Sequence, residues 1–84
     1  MILFQKIINQ KLSGMSESEL LQLAKQNKIV ISQAQASKIT ALIKGSSINI
    51  FDEQERNELL KKVAQITSKE TADQVGLLLK KFTG

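Results

Sequence analysis

Cysteine, histidine and proline are all missing from this chain of 84 residues, and neither tryptophan nor tyrosine occurs. Without Cys or His the chain has no disulfides, no zinc-finger ligands and no histidine for acid–base catalysis. Its length predicts a single domain, residues 1–84, near the size below which one hydrophobic core is only marginally stable. Stability therefore has to come from helix caps and packing.

Long apolar runs are missing as well. The first run ends after Phe4, where Gln5 and Lys6 follow. This segment lacks the uninterrupted core of a signal peptide and is too short to cross a bilayer. The lack of cysteine also gives no indication of an oxidising compartment. We therefore expect a cytoplasmic protein without membrane contact.

Negative charge is in the minority, because 12 Lys and Arg residues stand against 8 Asp and Glu residues and give a net charge of +4. Carboxylates fall near predicted helix starts and lysines near predicted helix ends, which the helix dipole favours by about 0.3–1 kcal/mol for each well-placed charge. Most charges thus have a structural explanation. The positive excess permits weak attraction to polyanions without identifying them as partners.

Apolar residues spaced three and four apart predict five short helices. The predicted helices are residues 3–12, 17–27, 33–44, Asp52 to about 66, and a last helix that ends at Phe82. The only aromatic residues are Phe4, Phe51 and Phe82, and all three lie at predicted core positions. They leave no obvious platform for stacking on single-stranded nucleic acid.

The helix boundaries are marked by capping residues. Two predicted capping boxes pair a serine with the residue three positions later, Ser16 with Glu19 and Ser32 with Gln35. Asp52 repeats the pattern before the fourth helix, and either Thr67 or Ser68 caps the fifth. Gly45 lies where a left-handed residue would end the third helix.

Two connectors rich in isoleucine, residues 29–31 and 48–50, precede the third and fourth helices. They could pair as a minimal two-stranded bridge. Paired calcium-binding hands have such a bridge, but the carboxylate ligands that they require are missing here, so we expect no metal. The predicted fold is all-α, a compact bundle of five short helices, with this bridge as its only candidate β structure.

One group of carboxylates could be considered a site, and it consists of Asp52, Glu53, Glu55 and Glu58. Carboxylate catalysis needs two groups that face one pocket, and metal sites need ligands that converge from several elements. These residues instead follow one another at a single helix start, where two of them have capping roles. We expect no catalytic residue and no cofactor, and hence no enzymatic activity.

The third helix is amphipathic, with Ala36 and Ile39 on its predicted core face. Its predicted solvent-facing stripe consists of Gln33, Ser37, Thr40 and Lys44. A recognition helix usually has more than one cation, so we expect a core helix with one solvent-exposed face. Residues 16–43 nevertheless resemble the helix-extended-helix arrangement of SAP-type and Rho-amino-terminal-type nucleic-acid modules. The alternative function is therefore a small nucleic-acid-binding domain that uses helices 2 and 3, this stripe and the lysines.

The last helix has one apolar residue that its periodicity places away from the core. Leu77 points about 200° from Val75, which lies on the apolar face, so Leu77 is expected to be exposed. The neighbouring Gly76 would let another backbone come close. Together with Lys80 and Lys81, Leu77 forms the predicted contact surface for a protein partner or a second copy of the chain.

A resemblance runs over nearly the whole chain and is carried by residues 32–45, 48–56, 59–60 and 66–75. In these stretches the sequence is similar to the YqfT-like family of small uncharacterised proteins from Bacillus-type bacteria. The resemblance implies a cytoplasmic bacterial protein, and it transfers no site residues because none of the stretches is a catalytic motif. The leading expectation is a non-enzymatic protein-interaction module, self-association included.

Overall fold

Five α-helices account for most of the chain in the computed structural model, which describes residues 3–45 and 47–83. Their bounds are α1 Leu3–Ser13, α2 Glu17–Gln26, α3 Gln33–Gly45, α4 Glu53–Ile66 and α5 Lys69–Thr83. No strand occurs in these described ranges. The predicted all-α bundle of five short helices is therefore confirmed.

The starts of α2 and α3 are fixed by the two predicted capping boxes. The Ser16 Oγ accepts a hydrogen bond from the Glu19 N–H at 3.1 Å, and the Glu19 carboxylate accepts one from the Ser16 N–H at 3.1 Å. In the second box the Ser32 Oγ accepts from the Gln35 N–H at 3.1 Å, and the Gln35 Oε1 accepts from the Ser32 N–H at 2.9 Å. Each box satisfies two N–H groups that would otherwise lack a partner, and both predictions are confirmed.

The starts of α4 and α5 use simpler caps. The Asp52 carboxylate accepts from the Glu55 N–H at 3.1 Å, but the Glu55 carboxylate accepts from the Asn49 N–H at 3.3 Å instead of returning to Asp52. The Ser68 Oγ accepts from the Thr71 N–H at 3.1 Å. Of the two residues predicted as the cap of α5, Ser68 is therefore the one that caps the helix.

The two-stranded bridge proposed between residues 29–31 and 48–50 is not formed. The Ile29 N–H of the first connector bonds to the end of α2, and the Ile50 N–H and carbonyl of the second bond to side chains of α1 and α4. Because these bonds already use the N–H groups of Ile29 and Ile50, those donors are not available for a ladder between the connectors.

The first connector completes a Schellman motif at the end of α2. The Ile29 N–H donates to the Ala24 carbonyl at 2.8 Å, and the Lys28 N–H donates to the Lys25 carbonyl at 3.1 Å. The motif requires a left-handed residue directly before Ile29, and Lys28 has this conformation, with a φ of 60°. The side chains of Ile29 and Ala24 are both buried, so burial of Ile29 accompanies an unfavourable lysine conformation.

The second connector is held by a small polar network. The Asn9 Oδ1 accepts from the Ile50 N–H at 3.1 Å, and the Asn9 Nδ2 donates to the Asn49 Oδ1 at 2.9 Å. The Asn49 Oδ1 also accepts from the Phe51 N–H at 3.1 Å. From the other side, the Arg56 Nη1 donates to the Ile50 carbonyl at 2.9 Å. Side chains of α1 and α4 thus fix the course of this connector.

Gly45 is not the left-handed stop that its position suggested. It is the last residue of α3, and no glycine in the described ranges has a positive φ. A Cβ atom at Gly45 would meet nothing within 4 Å. The left-handed conformation falls instead on Lys28, where tertiary packing requires it.

The core forms where α3, α4 and α5 meet the second connector. Its buried cluster consists of Ile39, Ile50, Leu59, Val63, Ala72 and Leu79. The predicted burial of Ile39 is therefore confirmed. α3 packs against α1, α2 and α4, whereas the main partner of α5 is α4. This arrangement makes α3 the central helix and leaves the α4–α5 pair at one side of the bundle.

Phe4 does not occupy the core position predicted for it. Phe4 is 60% exposed and Ile7 is 44% exposed, and Phe82, which was also predicted at a core position, is 36% exposed. α1 packs on the core cluster through Ile8 and Leu12, near the point where Asn9 binds the second connector. Phe4 and Ile7 therefore contribute much less to this contact than Ile8 and Leu12.

Replacing Lys28 with Gly should raise the free energy of unfolding by about 1 kcal/mol, because glycine adopts a left-handed φ without a steric penalty. Lys25→Gly is the matched control. It falls in the last turn of α2 and should lower the free energy of unfolding by about 0.5–1 kcal/mol. Urea unfolding followed by circular dichroism measures both changes. Equal destabilisation by the two substitutions would contradict the left-handed assignment.

Hydrogen bonds from Ser16, first from its backbone N–H and then from its side chain, lower the pKa of the Glu19 carboxyl below the ordinary 4.5. A lowered folded-state pKa adds stability above the unfolded pKa, and this contribution is lost as pH falls through the folded value. Glu19→Gln keeps the geometry that Gln35 has in α3 but cannot titrate.

The stability advantage of the parent over Glu19→Gln should therefore shrink as the pH falls from above 4.5 through the lowered pKa. Urea unfolding of both proteins at a series of pH values measures this difference. A difference that stays constant over the whole series would show that the Glu19 carboxyl titrates alike in the folded and unfolded states.

Candidate protein-contact groove between α4 and α5

α4 and α5 form an antiparallel hairpin whose connection consists of Thr67 and Ser68. The Thr67 N–H and hydroxyl both donate to the Val63 carbonyl, at 2.9 and 2.7 Å, and so end α4. Ser68 then caps α5 directly. A connection this short places the two helices side by side and antiparallel.

Gly76 allows the two helices to pack closely. A Cβ atom built on Gly76 would lie 3.3 Å from the Leu60 Cδ1 atom, which is closer than the usual carbon–carbon contact of about 3.5–4.0 Å. The space that Gly76 leaves is therefore taken by Leu60 of the same chain. This corrects the expectation that Gly76 leaves room for the backbone of a partner.

The outer side of the hairpin forms an open groove of about 810 Å³. Residues from both helices contribute to it. The apolar and small residues that line it are Leu60, Ala64, Ala72, Gly76 and Leu77. Leu77 is exposed, and Leu60 and Ala64 are partly exposed, so a partner would have access to apolar surface there.

Charged side chains surround this apolar floor. The four cations and two carboxylates among the lining residues are Arg56, Lys61, Lys69, Lys80, Glu53 and Asp73. The groove thus carries an excess of two positive charges at neutral pH. Its electrostatic potential favours an anionic partner.

The structure brings together two of the three residues predicted as a protein contact. Leu77 is 63% exposed, which confirms its predicted exposure, and both Leu77 and Lys80 line the groove. Lys81 is directed elsewhere, because its Nζ donates to the Asn27 Oδ1 at 3.2 Å. Lys81 therefore links the end of α5 to the end of α2 and is not among the groove residues.

Arg56 is the most firmly positioned cation in the groove. Its Nη1 donates to the Ile50 carbonyl at 2.9 Å, and its side chain is only partly exposed. A guanidinium has five N–H donors in a planar fork, so donors remain available after this bond. Arg56 thus presents an oriented positive group, whereas the lysines of the rim are exposed.

The stripe predicted on α3 is only partly exposed. Gln33, Ser37 and Lys44 face solvent. Thr40 departs from the prediction, because it is only 7% exposed and its hydroxyl donates to the Ala36 carbonyl at 3.0 Å. A hydroxyl already bonded within its own helix is poorly available to a ligand.

The carboxylates at the start of α4 do not converge on a common point. Asp52 and Glu55 bond to backbone N–H groups, and Glu53 and Glu58 are exposed. Within residues 3–45 and 47–83, no group of three His, Cys, Asp or Glu side chains could hold a metal ion. The same ranges contain no helix with the length and apolar character needed to cross a membrane.

The interior also contains a cavity of about 70 Å³, bounded mainly by aliphatic core residues. Asn9 and Ser13 contribute the polar groups at its edge. Asn9 already bonds to the second connector, and the Ser13 hydroxyl donates to the Gln10 carbonyl at 3.0 Å. The cavity therefore has less capacity to orient a ligand than the groove, where charges and apolar surface lie together.

Sequence reasoning missed the α4 side of the groove, namely Leu60, Ala64 and the neighbouring Arg56 and Lys61. The available signal was the short connection between α4 and α5, which makes the two helices antiparallel neighbours. Combining that connection with the helical periodicity of α4 would have placed these residues opposite α5.

Comparison with known proteins identifies the family of this chain. The family described as "Protein of unknown function (DUF2624)" matches residues 1–83. The chain is also 48% identical over 83 residues to "Uncharacterized protein YqfT" of Bacillus subtilis (strain 168), which covers 99% of each chain. The chain belongs to this family, and the resemblance seen in its sequence is confirmed. No solved structure gives a significant match.

Gly76→Leu should lower the free energy of unfolding by about 1–3 kcal/mol, because the new side chain would overlap Leu60 even though leucine favours a helix. Gly45→Leu is the matched control, since no atom lies within 4 Å of a Cβ at Gly45. The control should leave stability unchanged or slightly raised. Thermal unfolding distinguishes the two, and equal stability of both variants would mean that α4 and α5 are not closely packed at Gly76.

Proposed function

We propose that this member of the family is a non-enzymatic protein-interaction module whose contact surface is the α4–α5 groove. The observation that carries the proposal is the position of Leu77, which is 63% exposed at a groove with an apolar floor. Interfaces concentrate their binding energy where an apolar centre is surrounded by polar groups. The proposal also places the protein in the cytoplasm, as the sequence resemblance implied.

The surroundings of Leu77 matter more than its exposure alone, because single exposed apolar residues are common on protein surfaces. Val30, on the connector between α2 and α3, is 86% exposed. Val30 lines a recess of about 360 Å³ formed by α2 and its own connector. Leu77 differs because it lies in a larger groove, of about 810 Å³, with Leu60 and Ala64 on a second helix. A side chain inserted there would contact two helices and lose more of its water-exposed area.

The proposal assigns no reaction to the domain. General acid–base and nucleophilic catalysis depend on paired reactive groups in a common pocket. The chain has no Cys or His, and Asp52 and Glu55 are already bonded to the backbone at the start of α4. The groove is better suited to binding than to chemistry.

A second candidate function is nucleic-acid binding by the α2–α3 unit. The observation that favours it is the exposure of Gln33, Ser37 and Lys44, which lie on one side of α3 at about 100° per residue. Burial of Thr40 reduces this surface. A salt-sensitive gel shift that is lost in the Gln33→Ala/Lys44→Ala double variant would favour this candidate over the groove.

Leu77→Glu should reduce the protein captured from a nuclease-treated bacterial lysate by about tenfold or more, because a central apolar contact is replaced by a charge. Val30→Glu is the control, since it adds the same charge at a more exposed apolar residue. Capture by Val30→Glu should equal that of the parent. Circular dichroism establishes that both variants are folded.

Sedimentation of the same proteins tests self-association through the groove. If the parent is oligomeric through this surface, Leu77→Glu should lower its mass and Val30→Glu should not. A folded Leu77→Glu variant that keeps both the mass and the captured proteins of the parent would remove the α4–α5 groove as the contact surface.

A further inference from the structure

The charge of the groove narrows the kind of partner that it fits. Four cationic and two anionic side chains line it. In the antiparallel hairpin, Arg56 and Lys80 fall toward one end, and Lys61 and Lys69 fall toward the end near the connection. Positive charge is thus present at both ends of the apolar floor, where it can attract carboxylates along an elongated ligand.

The shape of the groove suits a helix. α4 and α5 contain 14 and 15 residues, so the groove can extend for about 20 Å at 1.5 Å per helical residue. Ala64, on the α4 side of the groove, is partly exposed, and its small side chain lets another helix approach without displacing a large one. Helices that bind in such grooves insert apolar residues at i, i+3 or i+4, and i+7.

We propose that the groove binds an acidic amphipathic helix of another protein, with its apolar stripe against Leu60 and Leu77 and its carboxylates beside Arg56, Lys61, Lys69 and Lys80. This inference rests on the proposed function, since it names the partner for the same surface. The apolar floor supplies burial, and the cations fix the sign of the charge that flanks the inserted stripe.

A second copy of this chain suits the groove less well. In a two-fold symmetric contact the same surface meets itself, so the four cations of one groove would face those of the other. Only Glu53 and Asp73 could offset them. Nucleic acid supplies negative charge but no apolar stripe, and the groove contains no aromatic residue on which bases could stack.

The test uses the full chain and three synthetic helical peptides with one common apolar stripe. The residues that flank the stripe are Glu in the first peptide, Gln in the second and Lys in the third. Fluorescence anisotropy should show that the acidic peptide binds about tenfold more tightly than the neutral one and that the basic peptide binds weakest. The preference should decrease as salt is added, because the rim lysines are exposed.

Charge-reversal variants test whether the groove lysines cause the preference for the acidic peptide. Lys61→Glu/Lys80→Glu should weaken binding of the acidic peptide about tenfold or more and should favour the basic peptide. Lys11→Glu/Lys38→Glu changes the net charge equally at exposed lysines that do not line the groove. This control should bind the acidic peptide nearly as well as the parent, apart from the weaker attraction due to net charge.

Leu77→Gln separates this inference from the proposed function, because it removes apolar surface without adding charge. Suppose that the parent binds the three peptides equally and that Leu77→Gln abolishes this binding. The groove is then the contact surface, and the proposal of an acidic partner is wrong. If the Lys61/Lys80 and Lys11/Lys38 double variants bind the acidic peptide equally, attraction is due to net charge, and this inference is overturned.

Two further results would overturn the choice of partner. If neither Leu77→Gln nor Lys61→Glu/Lys80→Glu weakens the binding of any peptide, the groove is not the contact surface. The proposed function then fails together with this inference. If the parent sediments as a dimer that Leu77→Gln converts to a monomer, the occupant of the groove is a second copy of the chain.

Discussion

Much of the bundle depends on the need to hydrogen-bond the backbone N–H and carbonyl of Ile50. Burial of the Ile50 side chain, which is 3% exposed, brings its N–H and carbonyl out of water, and an unsatisfied buried group costs about 1–3 kcal/mol. Asn9 accepts from the N–H and Arg56 donates to the carbonyl. The same few atoms therefore tie α1 and α4 to the connector that enters the core.

Arg56 connects this requirement to the groove. One N–H of its guanidinium bonds to the Ile50 carbonyl, while the side chain also lines the groove between α4 and α5. A lysine could not replace it easily, because a single ammonium lacks the planar fork that serves two directions at once. The groove thus has one cation whose position is set by the core, beside lysines that are exposed and free to adjust to a ligand.

Local signals predicted the helix starts, and tertiary packing decided the features that were missed. The capping boxes at Ser16 and Ser32 need only residues three positions apart, so the sequence suffices to predict them. The end of α2 is different, because Lys28 adopts a left-handed conformation in the bonds that accompany burial of Ile29. Intrinsic preference instead pointed to Gly45, where no such packing exists. The predicted strand bridge failed for the same reason, since the Ile50 N–H donates to Asn9, which is distant in the sequence.

The same distinction separates the two surfaces that the sequence suggested. Helical periodicity placed Thr40 beside solvent-facing residues, but α3 packs against α1, α2 and α4. Its covered face includes Thr40, while Ser37 and Ala41 on either side remain exposed. The other three residues of this stripe, Gln33, Ser37 and Lys44, are exposed. α5 packs mainly on α4, so the periodicity of α5 identified Leu77 correctly as an outward residue. A helix with one main neighbour keeps the outward residue that its periodicity predicts, whereas a helix packed against three others loses part of its predicted polar face to burial.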